Sequence, residues 1–401
     1  FQSYRFSLSW SRILPTGFAN KISQDGIAYY HKLIDALLAK GIEPLITIYH
    51  WDHPQILEDL GGWTNELMVD WFGDYARVVF HEFGPKVKLF ATLNEPDSVC
   101  ISGYAEGAQA PGKVLNGIGD YLCMHNMLKA HAKAYHIYDK EFRSLQNGDV
   151  GIVINVGGFY PKTEEDRDAA EIAHQFKNGW QLSPIFSEQG DYPKLMKEIL
   201  ANKSEEGGFT KSRLPVFSQE WIDSIRGSAD FLGMNYYTAH LVEFGTTGPD
   251  PSYYRDQGVT ESFDPSWKPT ASNWLYQVPQ SLGDSLIRIS RDYKNPLIYI
   301  TENGMSDLGD TNDPDRIQFF HDYIKSMLLA INDHHVNVKR YYLWSILDNF
   351  EWERGYSERF GIVHVDFEDP NRKRTWKKSA YWWQQVTRHR KLLSNISVNV
   401  V

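Results

Sequence analysis

Leu297-Ile298-Tyr299-Ile300-Thr301-Glu302-Asn303-Gly304 is the stretch from which the fold of this 401-residue chain can be read. It follows Asn295-Pro296, a turn signal, and its aliphatic and β-branched residues predict a strand buried on both faces. A carboxylate, an amide and a glycine then arrive together where the strand ends. In a parallel β/α protein the C-terminal strand ends face the ligand, so Glu302 stands where chemistry is done. Taken alone, it reads as well as a carboxylate capping the next loop. Its partners elsewhere in the chain decide between the two.

Outward from this stretch, short apolar runs alternate with longer amphipathic ones. Strands are predicted over residues 4–10, 44–49, 87–93, 150–156, 231–237 and 338–344. Helices are predicted over 27–40, 66–83, 120–142, 170–180 and 278–293, and from Pro314 with Asp313 as N-cap. The first helix places Ile27, Tyr30, Leu33, Ile34, Leu37 and Leu38 on one face and stops at Gly41. Residues 162–168 are charged and read as solvated, and 244–277 read as a long polar and aromatic loop. Loops of that length within a domain are uncommon unless functional. Seven strands separated by helical material predict an α/β fold, a parallel sheet closing as a (β/α)8 TIM barrel. Such a barrel has eight strands, and Phe1-Gln2-Ser3-Tyr4-Arg5 enters a strand-like run at once. The expectation is therefore a single domain over 1–401 without the first strand and helix, leaving two barrel edges unpaired, a liability for aggregation.

Composition narrows the function. The net charge of −10 and the absence of a basic stretch argue against a nucleic-acid partner. No apolar run reaches the roughly 18 residues that span a membrane. Aromatic residues make up 14% of the chain, a load suited to laying flat apolar surfaces against a ligand as well as to core packing. Cys100 and Cys123 read as buried free thiols and lack metal-ligand spacing, and neither a metal nor a cofactor is expected. Asn202-Lys203-Ser204 and Asn395-Ile396-Ser397 are acceptor triplets for glycosylation, which favours an extracellular or lumenal location over a cytoplasmic one.

Five strand ends carry polar or aromatic groups: His50 and Trp51; Asn94 and Glu95; Asn235 and Tyr237; Glu302; and Trp344, with Glu351 and Trp352 just beyond. A barrel brings such ends around one mouth. Glu95 and Glu302 are too distant in sequence for local pairing to explain both. Two carboxylates among Trp and Asn side chains are what glycoside cleavage needs, one protonated to serve the leaving oxygen and one ionised to attack.

Thr92-Leu93-Asn94-Glu95-Pro96 and Ile300-Thr301-Glu302-Asn303-Gly304 resemble the two signature motifs of glycoside hydrolase family 1, the β-glucosidase family. The resemblance extends from Tyr4-Arg5-Phe6-Ser7-Leu8-Ser9-Trp10 to Phe350-Glu351-Trp352 and is strongest to animal, particularly insect, members. It implies a retaining hydrolase of β-glucosides, with galactosides and fucosides as further candidate substrates, Glu95 as acid/base and Glu302 as nucleophile. It further implies Arg5 and Tyr237 as orienters of the nucleophile. His50, Asn94, Glu351 and Trp352 would be sugar ligands, Trp344 the floor under the ring, and Trp274 the flank of the aglycone; Trp51 and Asn235, from their place at strand ends around the same mouth, read as sugar ligands with them. A Gln on the family's first strand, a further sugar ligand, is not in this chain. The implied partner is a small glycoside or oligosaccharide; the oligomeric state is open.

The same residues bear on the alternatives. A klotho-like binding relative would have lost one or both glutamates, and both are present. A phospho-glycosidase would place phosphate ligands where Glu351 would repel a phosphate. A plant-type thioglucosidase replaces the acid with Gln, whereas an insect-type myrosinase-like enzyme keeps it. Ile101, next to Cys100, is not basic and supplies no sulfate ligand, which leaves the long loop from Phe244 onward as a source of one.

Overall fold

Residues 1–392 are described by the structure, a computed structural model, and seven strands run parallel through it. They are β1 (Ser3–Ser7), β2 (Glu43–Tyr49), β3 (Leu89–Asn94), β4 (Asp149–Pro161), β5 (Leu232–Phe244), β6 (Ile298–Glu302) and β7 (Val338–Tyr341). Their spatial order is their chain order, as in a β/α barrel. Strands β2, β3 and β6 are buried almost throughout, which is why their sequences read as continuous apolar runs rather than alternating ones. Leu45, Leu89, Ala91, Val153, Phe231, Tyr299 and Tyr342 pack together inside the curved sheet. Their strand neighbours Ile46, Phe90, Ile298 and Ile300 face the helices in the larger outer core. The predicted barrel topology is present. Strands β1 and β7 end the path and face one another across a cleft of about 1320 Å³. Ser3 Oγ and Tyr342 OH hydrogen-bond across it at 2.8 Å.

The helices lie close to where periodicity put them. The first spans Gln24–Ala39, with Ser23 Oγ accepting from Gly26 N at 3.2 Å. The helix predicted from 120 covers Gly119–Ile137 and then widens through Tyr138–Phe142. Three expectations need correction and one needs refinement. The first strand ends at Ser7, and Trp10 opens a helical turn, Trp10–Ile13, because its indole packs into the outer core. The last strand ends at Tyr341, so Trp344 sits in irregular chain beyond it. Asp313 is the N-cap residue of the helix Pro314–His334, as expected, but its side chain makes no capping hydrogen bond; its carboxylate instead accepts from Ser379 N at 2.9 Å, from Ser379 Oγ and from Arg316 Nε. The segment 244–277 carries the helix Tyr253–Gln257 and a strand, Val259–Ser262, that pairs antiparallel with the overlong end of β5. Local periodicity could not show this pairing, since its partner lies in another element.

Cys100 and Cys123 form a disulfide, not two free thiols. It ties the segment following Glu95 to the helix Gly119–Ile137 across a separation of 23 residues. Closing a loop of that length restricts the unfolded chain by about 3 kcal/mol. The double substitution Cys100→Ser, Cys123→Ser is expected to lower unfolding free energy by that amount in urea titration. Of the two acceptor triplets, Asn202-Lys203-Ser204 lies in the helix Lys194–Glu206, where Ser204 is buried and donates to Leu200 O at 2.6 Å. The triplet at Asn395 lies outside the described residues.

Candidate active site

Two register shifts shape the mouth of the sheet. Between β5 and β6, Met234 faces Ile300 but Asn235 faces Glu302, so β6 has one residue more than its partner. Strict alternation from Tyr299 on the inner face would turn Glu302 outward; the extra residue turns it in. Between β3 and β4, Ala91 faces Gly151 and Asn94 faces Val153, another bulge, which brings Asn94 inward. Glu95 follows with φ 47° and ψ 66°, in the left-handed region a non-glycine residue rarely adopts. Trp51 and Trp352 share that trait, at φ 76° and 44°. Such strain concentrates where a fold over-determines a side chain's direction.

The two glutamates are joined by a continuous chain of hydrogen bonds. Arg5 donates from one guanidinium nitrogen to Glu302 Oε1 at 2.6 Å and from the other to Asn94 Oδ1 at 2.6 Å. Asn235 Nδ2 donates to Asn94 Oδ1 at 3.2 Å and to Glu95 Oε1 at 2.7 Å. Tyr237 OH donates to Glu302 Oε2 at 2.7 Å, so both nucleophile oxygens are engaged. Burial and then Glu302 push the Tyr237 hydroxyl far above its ordinary range, keeping it a donor.

The two carboxylates are therefore unlike. Glu302, 4% exposed, has a guanidinium and a phenol aimed at it, an arrangement that suits an anion. Glu95, 8% exposed, has amide and hydroxyl partners only, from Asn235 and from Ser98 Oγ at 3.1 Å. Burial pushes its carboxyl well above the ordinary range; Glu302 and then Asp97 add to this, against Asn235 and Lys177. This is the division between acid and nucleophile that two-carboxylate glycoside cleavage uses.

A cavity of about 340 Å³ opens above them, lined by Glu95, Glu302, His50, Trp51, Asn94 and Tyr237. Trp274, Trp344, Glu351 and Trp352 close its other walls. Burial and the Arg5 charge push His50 down to about 3, so it is neutral and its Nε2 accepts from Asn94 Nδ2 at 3.2 Å. Trp51 stacks on Trp352 with ring centres 4.4 Å apart, and His50 stacks on Trp344 at 6.1 Å. Trp274 meets Tyr237 edge-on at 5.5 Å and remains 41% exposed, as expected of a rim residue. Burial, then Glu302, Glu358 and Glu353, push Glu351 up to about 8, so near neutrality it can donate to a hydroxyl as well as accept.

Two expected residues do not line this cavity. Asn235 is fully buried beneath it, so the structure gives it to Glu95 and Asn94 rather than to a sugar. Arg5 faces the β1–β7 cleft and reaches the site through Glu302 and Asn94. Sequence reasoning missed Ser98, which holds Glu95, and Asn303, whose Nδ2 donates to Tyr236 O at 2.7 Å and whose Oδ1 accepts from Tyr341 OH at 2.5 Å. It also missed Lys177, His240 and Glu261, which line the same cavity, and the buried Asp97. Asp97, two positions beyond Glu95, was the one with a local signal.

Gly304 is fixed by close approach: a Cβ there would lie 1.8 Å from Trp344 O. Backbone meets backbone, so no side chain can yield. Gly304→Ala is expected to cost about 1–3 kcal/mol in urea unfolding, with a raised KM as Trp344 is displaced.

The chain is similar to known proteins over nearly its whole length. The family model described as Glycosyl hydrolase family 1 matches residues 1–392. Myrosinase 1 of Brevicoryne brassicae is 43% identical over 387 residues, which are 96% of this chain and 82% of that protein. Human cytosolic beta-glucosidase is 41% identical over 399 residues, 98% of this chain and 84% of that protein. Among solved structures, aphid myrosinase superposes with a TM-score of 0.93 at 43% identity, covering 97% of this chain and 84% of its own. A rice beta-glucosidase mutant in a covalent complex with Glc gives 0.89 at 38% identity, covering 96% and 84%.

Proposed function

This chain belongs to glycosyl hydrolase family 1 and is a β-glucosidase-like hydrolase, and from that premise we propose how its own residues divide the chemistry. Glu302 attacks the anomeric carbon while Glu95 gives its proton to the departing glycosidic oxygen. The bond from carbon to that oxygen breaks as the ester to Glu302 forms, through an oxocarbenium-like transition state. Glu95, now a carboxylate, then takes a proton from water, which displaces Glu302 and releases the sugar with its β configuration. The observation that carries this reading is the hydrogen-bonded chain Glu95–Asn235–Asn94–Arg5–Glu302, which holds an acid and an anion across one mouth. Proton NMR during early hydrolysis tests it. The β-anomer should appear first; initial α-anomer would overturn the nucleophilic role.

His50, Asn94, Trp51, Glu351 and Trp352 take the sugar, with Trp344 beneath it and Trp274 beside the leaving group. A neutral β-glucoside suits this lining, and galactosides or fucosides would differ only in the hydroxyls presented to it. Residues 1–401 belong to one catalytic domain in this reading. Among the described residues no helix is long and apolar enough to cross a membrane. The Cys100–Cys123 disulfide supports a secretory route, since such bonds persist in oxidising compartments. Against this stands a human relative named as cytosolic. Alkylation of freshly secreted protein before and after reduction should show two thiols only after reduction.

A myrosinase-like thioglucosidase is the second reading, favoured by the identity to the aphid protein. The leaving-group wall weighs against it. Its cations, Lys177 and Arg354, are already opposed by carboxylates, Lys177 by Asp97 and Arg354 by Glu358 at 3.7 Å and Glu353 at 4.0 Å, leaving no unbalanced charge for an anionic aglycone. Relative rates on a glucosinolate and an aryl O-glucoside separate the two.

A further inference from the structure

The segment that presents Glu95 continues directly into a buried ion pair that the mechanism above does not use. Asp97, in the turn Pro96–Ser98, is wholly buried, and its Oδ2 accepts from Lys177 Nζ. Its Oδ1 is buried without a hydrogen-bond partner among the described residues, so Lys177 is the only cation set against its charge there. Lys177 comes from a different part of the chain, the widened turn Gln175–Gly179 between the helices Arg167–His174 and Trp180–Phe186. Asn178 clamps that turn to β4, donating to Gly157 O at 2.9 Å and accepting from Gly157 N at 3.0 Å. Gln181 bridges the pair through the backbone, accepting from Asp97 N and donating to Lys177 O at 3.1 Å. With its side chain 25% exposed, Lys177 lines the same cavity as Glu95. Wide helical turns of this kind recur at functional sites.

We propose that Asp97 and Lys177 are positioning residues for Glu95, an opposed pair of fixed charges that lets one carboxyl serve as acid in the first half-reaction and as base in the second. The inference rests on the assignment of Glu95 as the acid/base. Glu302 loses its charge when it becomes an ester, so its repulsion of Glu95 changes during the cycle. The charges of Asp97 and Lys177 do not. Asp97 favours the proton on Glu95, and Lys177 favours the carboxylate left once the proton has gone. Burial opposes the charge on Lys177, but Asp97, then Glu95 and Glu261, outweigh it and hold the ammonium. The other ionisable groups facing Glu95 are Glu302 on β6 and Tyr237 on β5. Those facing Lys177 are Glu261 on the hairpin arm and His240 on β5, themselves 3.5 Å apart.

The test is the alkaline limb of the kcat/KM profile on an aryl β-glucoside, where activity falls as Glu95 loses its proton. Asp97→Asn should move the limb toward lower pH and Lys177→Met toward higher pH, each by about one pH unit. Lys177→Arg should restore the wild-type limb, and the double variant should lie between the single ones. A limb unmoved by both, or moved in the same direction by both, overturns the proposal. Glu95→Gln separates the two levels. If its limb vanishes while the pair variants leave theirs in place, the pair alone is refuted. If its limb persists, Glu95 is not the titrating acid and both readings fall. Thermal unfolding of each variant reports folding; should Asp97→Asn not fold, the contrast between Lys177→Met and Lys177→Arg decides.

Discussion

Glu302→Ala is expected to lower kcat on an activated aryl β-glucoside by on the order of 10⁵-fold, with folding retained. The size follows from what is removed. Without the carboxylate no glycosyl ester can form, and water must attack a sugar whose positive charge has lost its nearest anion. Arg5 would then lie at the mouth without its counter-ion, which itself repels an oxocarbenium-like transition state. The methyl side chain leaves room for a small external nucleophile on the face opposite the leaving group, so azide should give an α-glycosyl azide. Hydrolysis within tenfold of wild type would remove Glu302 from the mechanism. Circular dichroism and the urea midpoint show whether any loss reflects the fold.

Glu95→Ala should divide substrates by leaving group. An alkyl glucoside or cellobiose departs as a basic alkoxide and needs its proton, so kcat/KM should fall about 10²–10⁴-fold. A dinitrophenyl glucoside departs unaided, and its first step should be far less affected. Its second step, which needs Glu95 as base, should slow until ester hydrolysis limits turnover. Azide needs no base and should restore kcat on that substrate, giving a β-glycosyl azide. Equal losses on both substrates, without rescue, would exclude the acid/base role. In the wild type, raising the pH through the elevated range of Glu95 removes the proton the first step requires. Activity therefore falls on the alkaline side, and the Glu95→Ala profile should lack that fall.

Much of the site could be read before any coordinates because its parts sit at strand ends. His50, Asn94, Glu95, Tyr237 and Glu302 each follow a short apolar run, and runs of that kind are visible in one dimension. The disulfide was misread for the converse reason. Its two cysteines lie on different elements, and nothing in their spacing shows that the chain after Glu95 turns back onto the helix Gly119–Ile137. Asn235 reads as a sugar ligand in the sequence because strand ends meet at the mouth. Its depth, which gives it to Glu95 instead, depends on how far β5 is displaced against β6.

The alternation of apolar and amphipathic runs was enough to determine seven parallel strands and the ends they present, since burial on both faces and helical periodicity are local properties of a chain. Which way each terminal side chain points was decided only by tertiary structure. Strand side chains alternate, so a single extra residue reverses every direction after it. The bulges ahead of Asn94 and Glu302 are such residues, and they exist through pairing with β4 and β5 rather than through anything in β3 or β6. The acid character of Glu95 arises in the same way, from burial and from Glu302 and Asp97 acting against Lys177, charges carried by three separate segments of the fold.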